Sequence, residues 1–367
     1  MQYWRSYGRD IMNNETIKAI SLFSGAGIDE FYLSEEGVEV ILANEIIASR
    51  AAAYKALHKN QNIVVDDISK NNVKAEIIKF AKENNVELII ATPPCQGVSW
   101  AGANKTGDSL IKDKRNFLIL NAIEIFDVVK PNYFIIENVP RFSEMLFPIN
   151  GEWVTLKELL ERKYSSEYEI SVKVFDAADY GVPQTRLRIV YRLWKKGLIW
   201  GEPQKEKNIS LHDAIGALPS LEAGETSNIN NHYARRHPQN HIECMRYTPS
   251  GKTAYDNETH FPKKLNGEKV KGFKNTFKRM RWDRPAPTLT MRNEIISSQE
   301  NVHPGRLLPD GMWSDARVLT LRELLIVSSL PPDLDVPTNL SETAFRQIIG
   351  EGVPPKMFAK IIGQIGR

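Results

Sequence analysis

Seven short apolar runs, each rich in β-branched or aromatic residues, alternate with amphipathic segments through the first half of the chain, and this rhythm admits few architectures. The runs are IKAISLF, VEVILANE, NIVVDDI, VELIIAT, NYFIIENV, EISVKVF and RLRIVYRL. Between them, VKAEIIKFAKENN and RNFLILNAIEIFDVV carry apolar residues at three- and four-residue spacing, the period of a helix with one buried face. Strands alternating with helices predict an α/β fold, an open doubly wound parallel sheet with crossover helices. In such sheets ligands lie beyond the carboxyl ends of the strands, so residues at those ends are the first candidates for function.

The rhythm fails near Gly201, where Asn, His, Pro, Lys and Arg replace the long apolar runs. A second, smaller lobe is expected there. From Lys263 to Arg284 nine basic residues stand against Glu268 and Asp283, a local excess of seven in a chain whose net charge is +3. A solvated basic face is one reading. Clustered cations also suit a phosphate backbone, and Arg reads base edges, which favours nucleic acid as the partner. After Arg317, LTLRELLIVSSL reads as a helix. The last 20 residues, IIGEGVPPKMFAKIIGQIGR, read as a Gly/Pro turn and an amphipathic helix that packs back on the first lobe.

At 367 residues and 42% apolar content the chain can bury one large core or two moderate ones. No stretch reaches the roughly 20 apolar residues of a membrane span, and MQYWRSYGRDIMNNET lacks the apolar centre of a secretory signal, so a cytoplasmic protein is expected. Residues 1–11 read as an extension or an alternative start before Met12. Two cysteines, Cys95 and Cys244, imply reduced thiols.

In SLFSGAGIDE, Gly25 and Gly27 follow the first strand, where bare backbone can approach a nucleotide-like ligand. A dinucleotide fingerprint wants a third glycine at the position of Glu30, whose charge would repel a pyrophosphate at a helix N-terminus. Phosphate-free S-adenosylmethionine suits the segment better. Glu45, ending the second strand, is placed to accept from ribose hydroxyls, and Asp67, ending the third, from an adenine amino group.

Cys95 follows Pro93 and Pro94 at the end of the fourth strand. The two prolines fix the backbone and remove two donors, which suits a displayed side chain better than a buried hydrophobe. Gln96 and Ser99 open a polar stretch with the character of a lid. Glu137 ends the fifth strand, so thiol and carboxyl can share one cleft. In QTRLRIV, Arg186 and Arg188 fall on one face of a strand, as a surface pair or as a grip on phosphate or base carbonyl. His232, His237, His241 and Cys244 offer zinc donors. Pro238 interrupts the helical pair, however, and the spacing matches no common ligand pattern, so no metal is expected.

In this order, FSGAG, Glu45, DDI, PPCQ, ENV, QTRLR, RPAPTLT with LTLREL, and GEGVPP resemble the DNA (cytosine-5)-methyltransferases, from about Ala19 to the C-terminus. The resemblance implies an N-terminal extension (1–16), a catalytic S-adenosylmethionine-binding domain of Rossmann-like methyltransferase fold (17–198), an inserted target-recognition domain (199–318), a hinge (319–343) and a C-terminal helix returning to the catalytic domain (344–367). Carried over, it makes Cys95 the nucleophile and Glu137 the residue engaging N3 and the exocyclic amine of the cytosine. Arg188, with Arg186 supporting, contacts the extruded base and nearby phosphate. Phe23, Gly25, Gly27, Glu45, Asp67, Ile68, Pro93 and Leu118 line the cofactor site, and Thr288 braces the recognition lobe. Gln96, Ser99, Arg235, Arg236, Arg279 and Arg281 are candidate DNA contacts. The late motif departs from the family's Gly-Asn-Ser/Ala-Val at Glu351, which would meet the ammonium of the donor's methionine end and repel its carboxylate.

The implied partners are double-stranded DNA and a restriction endonuclease sharing the site, with the chain as a monomer. The alternatives are an RNA (tRNA) cytosine-5 methyltransferase, a catalytically silent DNA-binding regulator of the same fold, and, more distantly, a dinucleotide-dependent oxidoreductase.

Overall fold

All seven apolar runs are strands of one sheet. The structure, a computed structural model, describes residues 16–58, 62–94, 117–264 and 266–366. The strands are β1 (Ile17–Leu22), β2 (Val38–Asn44), β3 (Ile63–Val64), β4 (Leu88–Ala91) and β5 (Tyr133–Asn138), then, after a separate hairpin of β6 (Leu146–Ile149) and β7 (Glu152–Thr155), β8 (Tyr168–Asp176) and β9 (Leu187–Lys195). Their order is β3-β2-β1-β4-β5-β9-β8.

The first five strands are parallel, as expected. The expectation of an all-parallel sheet fails at β9, which pairs antiparallel with both β5 and β8. The cause is chain length: only residues 177–186 join β8 to β9, too few for the crossover that a parallel pair needs.

Both faces of the sheet are covered, which is why its strands read as continuous apolar runs. On one face Ile20, Leu22, Ile89, Phe134 and Ile136 pack against α2 (Asn71–Glu83), α3 (Ile119–Val129) and α4 (Leu156–Tyr164), through Val73, Ile77, Ile123, Phe126 and Leu160 among others. α1 (Ala48–Leu57) comes directly after β2. The alternate residues Ala19, Val40, Leu88, Ile90 and Ile135 face the other way.

The recognition-lobe region is nearly free of regular elements, with α5 (Leu211–Ile215), α6 (Gln239–Arg246) and isolated bridges. Beyond it lies α7 (Leu321–Val327). The segment expected as one returning helix holds two, α8 (Glu342–Glu351) and α9 (Pro355–Ile362). Met357, Phe358, Ile361 and Ile362 of α9 cover the second face of the sheet. Each such side chain contributes roughly 1.5–3 kcal/mol on full burial. Among the described residues no helix is long and apolar enough to cross a membrane.

With little regular structure, the region between Gly201 and Thr320 is organised by buried charge. Arg317 is fully buried and makes five hydrogen bonds: Nε to Leu221 O (2.7 Å), Nη1 to Val318 O (3.1 Å) and Glu323 Oε2 (2.7 Å), and Nη2 to Asp315 Oδ1 (2.8 Å) and Glu323 Oε1 (3.1 Å). Glu323 also forms the capping box of α7 with Thr320. Removing the cation would strand the buried Glu323 carboxylate and leave Asp315 paired only with Arg306 (3.3 Å). Arg317→Met should therefore lose about 3–5 kcal/mol in urea unfolding; a loss below about 1 kcal/mol would show that the network is dispensable.

Candidate active site

The carboxyl ends of β1, β2, β4 and β5 converge with the amino end of β9, because β9 runs against the rest. Immediately after β1 the backbone turns sharply: Phe23, Gly25 and Gly27 have positive φ (61°, 57° and 69°). For Phe23 this is a strained conformation, and Thr92 Oγ1 donates to its carbonyl (3.2 Å). A Cβ on Gly25 would point into open space, whereas one on Gly27 would lie 2.4 Å from His58 Nε2 and 2.7 Å from Tyr54. Gly25 thus forms a bare floor and Gly27 permits close packing on α1. The next element is a 3₁₀ turn, Leu33–Glu36, with no α-helix N-terminus to receive a pyrophosphate.

Glu45, buried just past β2, accepts from Gly25 N–H (2.9 Å) and Ile47 N–H (2.7 Å), which fixes its carboxylate beside the glycine floor. Asn44 Nδ2 donates to Val64 O and Asp66 O (both 3.0 Å), tying the end of β3 to β2. Asp67 lies three residues beyond β3 instead of ending it, half-buried, its Oδ1 accepting from Ser69 N–H (2.9 Å). Ile68 and Pro93 are buried and Leu118 is half-buried as the residue capping α3.

β4 ends at Ala91, and Thr92, Pro93 and Pro94 lead outward. Asn138 Nδ2 donates to Pro93 O (3.0 Å), anchoring this exit from the end of β5. Cys95, Gln96 and Ser99 lie outside the described residues.

Glu137 is buried at the end of β5, and Arg188 Nε meets its Oε1 at 2.7 Å, both side chains about nine-tenths covered. The pair exists because β9 is reversed: Glu137 lies opposite Val190, so Arg188 comes alongside the strand end. Burial pushes the Glu137 carboxyl above its usual range, with Arg188 and then Arg186 pulling the other way. Arg186 is not presented to the cleft as expected. Its Nη1 donates to Leu289 O (2.8 Å) and its Nη2 to Gly350 O (3.0 Å) and Glu351 O (2.9 Å), so it holds backbone in place and a direct contact to base or phosphate is corrected to a positioning role. Thr288 Oγ1 donates to Thr185 O (2.8 Å), joining the same two segments.

Sequence reasoning passed over Asp29. It is buried, and its Oδ2 has no hydrogen-bond partner among the described residues. Burial, then the charges of Glu30 and Glu137, raise its pKa well above the carboxylate norm. Glu30 is also raised by burial and accepts from Tyr54 OH (2.7 Å). The one available signal was two consecutive acids directly after a glycine turn that ends a buried strand.

The arginines expected to contact DNA divide. Arg279 is fully buried, its guanidinium donating to Met245 O, His303 O (2.8 Å) and Asp315 O (3.1 Å), and burial lowers its pKa to about 9. It is a core residue, and the expectation of a DNA contact is overturned. Arg235 pairs with Glu342 (3.1 Å) and Thr343, bridging to the start of α8. Arg281 is exposed and paired with Asp283 (2.5 Å), and Arg236 is exposed. Of the histidine group, His232 is bonded to Thr320 and Pro219 and His237 accepts from Val318 N–H.

The family model for C-5 cytosine-specific DNA methylase matches residues 17–367. The chain belongs to that family. It is 45% identical to the Type II methyltransferase M1.HgaI of Avibacterium volantium over 96% of this chain and 98% of that one. With M1.HphI of Haemophilus parahaemolyticus it shares 31% identity over 92% and 83%. Among solved structures, Spodoptera frugiperda DNMT2 superposes with a TM-score of 0.61 at 17% identity, covering 94% of this chain and 99% of that one. A candidate DNA modification methyltransferase from an E. coli prophage gives 0.67 at 21%, covering 95% and 98%. These structural likenesses establish the α/β methyltransferase fold.

Asp29 gives this methylase a measurable pH signature. Its folded pKa lies above the unfolded value of about 3.9, so the folded state holds the proton more tightly, and stability declines as pH rises from that value towards the folded pKa. Asp29→Asn removes the titration. As the pH is raised above about 3.9 the variant's Tm should rise relative to that of wild type; a Tm difference that does not change with pH would refute the assignment.

Proposed function

We propose that the chain transfers a methyl group from S-adenosylmethionine to C5 of a cytosine rotated out of duplex DNA, with Cys95 as nucleophile. The observation that carries this reading is the buried Glu137–Arg188 pair, next to the Pro93–Pro94 exit that leads to Cys95 and is anchored by Asn138.

The residues fit the cofactor. A bare floor at Gly25, an immobilised acceptor at Glu45 and the lack of a helix N-terminus after the turn suit a nucleoside without phosphates. Phe23, Gly27, Asp67, Ile68, Pro93 and Leu118 would complete the site. When bound, S-adenosylmethionine supplies a methyl group on an electrophilic sulfonium.

C5 of cytosine is a weak nucleophile, and the protein's task is to change that. The Cys95 thiolate adds to C6 while Glu137, its pKa raised by burial, gives a proton to N3, leaving an enamine nucleophilic at C5. Arg188 holds the carboxyl in the one orientation that faces the base. After methylation, loss of the C5 proton to water expels the thiolate and N3 returns its proton to Glu137. A free thiol titrates near about 8.5, so Cys95 needs neighbouring positive charge to react at neutral pH.

The base is stacked inside a duplex, and rotating it out costs a few kcal/mol. We assign the compensating contacts to residues 199–318, with Arg236 and Arg281 the exposed candidates among the arginines named from sequence. The Type II names of the relatives extend the reading to a site shared with an endonuclease.

Expression in cells lacking 5-methylcytosine, followed by bisulfite sequencing, should reveal methylation at one short motif. Cys95→Ser should abolish it, a fall of at least about 10⁴-fold, while S-adenosylhomocysteine binding by calorimetry is retained. Full activity in that variant would remove the proposed nucleophile.

A further inference from the structure

The start of the basic run forms a short ribbon whose two faces differ. Lys263 and Lys269 are antiparallel partners. The bonds beside them, Lys264 N–H to Glu268 O and Val270 N–H to Pro262 O (both 2.8 Å), make them a non-hydrogen-bonded pair, the kind whose side chains stand closest. In that register Phe261 and Lys271 share a face with this pair, while Pro262, Lys264, Glu268 and Val270 take the other. The second face is satisfied: Pro262 is buried, Val270 is half-buried, and Lys264 is paired with Glu268 (3.0 Å).

The first face is not. Lys263 and Lys269 both lie over the ring of Phe261, at 5.2 Å and 4.8 Å from its centre. All three lysines of this face are exposed, and among the described residues no carboxylate pairs with any of them. Like charges set directly opposite each other destabilise a strand pair, so the arrangement costs stability until an anion arrives. Two residues beyond Lys271 stands Phe273, 80% exposed. Its backbone is fixed. Gly272 lies so close to Tyr255 that a Cβ would stand 2.0 Å from the tyrosine hydroxyl, and Tyr255 packs edge-on against the buried Phe277 (5.8 Å). The Phe273 carbonyl accepts from both Thr276 N–H and Thr276 Oγ1 (2.9 Å each). An apolar ring held out in water beside uncompensated cations matches a partner with anionic rails and apolar surface between them, the chemistry of a DNA groove.

We propose that the ribbon sets Lys263, Lys269 and Lys271 on the phosphate backbone of duplex DNA and so places the Phe273 ring against the bases, making Phe273 a specificity-determining residue. A phenyl ring carries no donor or acceptor, so it touches bases only through their faces or through a thymine methyl group. The inference rests on the duplex-DNA reading above, and its test separates the two.

Duplexes carrying the methylated motif would be altered one position at a time, thymine to uracil or a purine to 2-aminopurine. Wild type should respond at one position, in kcat/KM to a lost methyl group or in fluorescence to a stacked ring. Phe273→Ala should lose that response and about tenfold in kcat/KM, with S-adenosylhomocysteine binding and Tm unchanged. Replacing the three lysines together by Gln should lower the slope of log Kd against log salt by about 2–3. A Phe273→Ala variant that matches wild type at every position, or loses activity equally at all of them, would overturn the base contact, and an unchanged salt slope would overturn the grip on phosphate. Wild type that neither binds nor methylates duplex would defeat the DNA reading and this inference with it.

Discussion

The guanidinium of Arg186 joins three stretches of chain that are remote in sequence, and the cleft depends on that junction. From the entry to β9 it reaches Leu289 in one direction and Gly350 and Glu351 in the other, while its own N–H donates to Asp176 at 2.8 Å. Charge-assisted bonds to carbonyls inside a protein gain strength from the low dielectric, and the planar fork fixes the angles between its partners. A lysine would supply one point of charge and could not hold three carbonyls in register. A segment of the inserted region, at Leu289, and the end of α8 thus share one reference point with the strand that carries Arg188.

Carboxyl groups crowd this cleft. Asp29, Glu30 and Glu137 are all buried, and burial raises the pKa of each. Such crowding favours the protonated forms, and for Glu137 that is the form able to donate. The reversed direction of β9 supplies the counterweight by bringing Arg188 to the same edge. Topology and acid strength are therefore linked: in an all-parallel sheet the QTRLR segment would lie at the far end.

Much of this was legible in the sequence because strands buried on both faces leave long apolar runs, and all seven appear where those runs predict. The direction of β9 was not legible, since the residue pattern of a strand is the same in either sense; the short link 177–186 was the clue. The β6–β7 hairpin escaped because LFPI and EWVT are brief and half-exposed. Glu45 and Glu137 could be named from their places at strand ends. Arg279 could not be judged, because a cation in a basic run reads as solvated, and its fate is set by carbonyls of Met245, His303 and Asp315 that only the folded lobe assembles. Arg50 gave no signal for the same reason: its partner, Glu351, is 301 residues away.

The position of α9 has a consequence for biosynthesis. Ala19, Val40, Leu88 and Ile90 are synthesised well before the helix that covers them, residues 355–362. One side of the sheet stays uncovered until that helix has emerged, so the nascent protein carries exposed apolar surface on strands already able to pair.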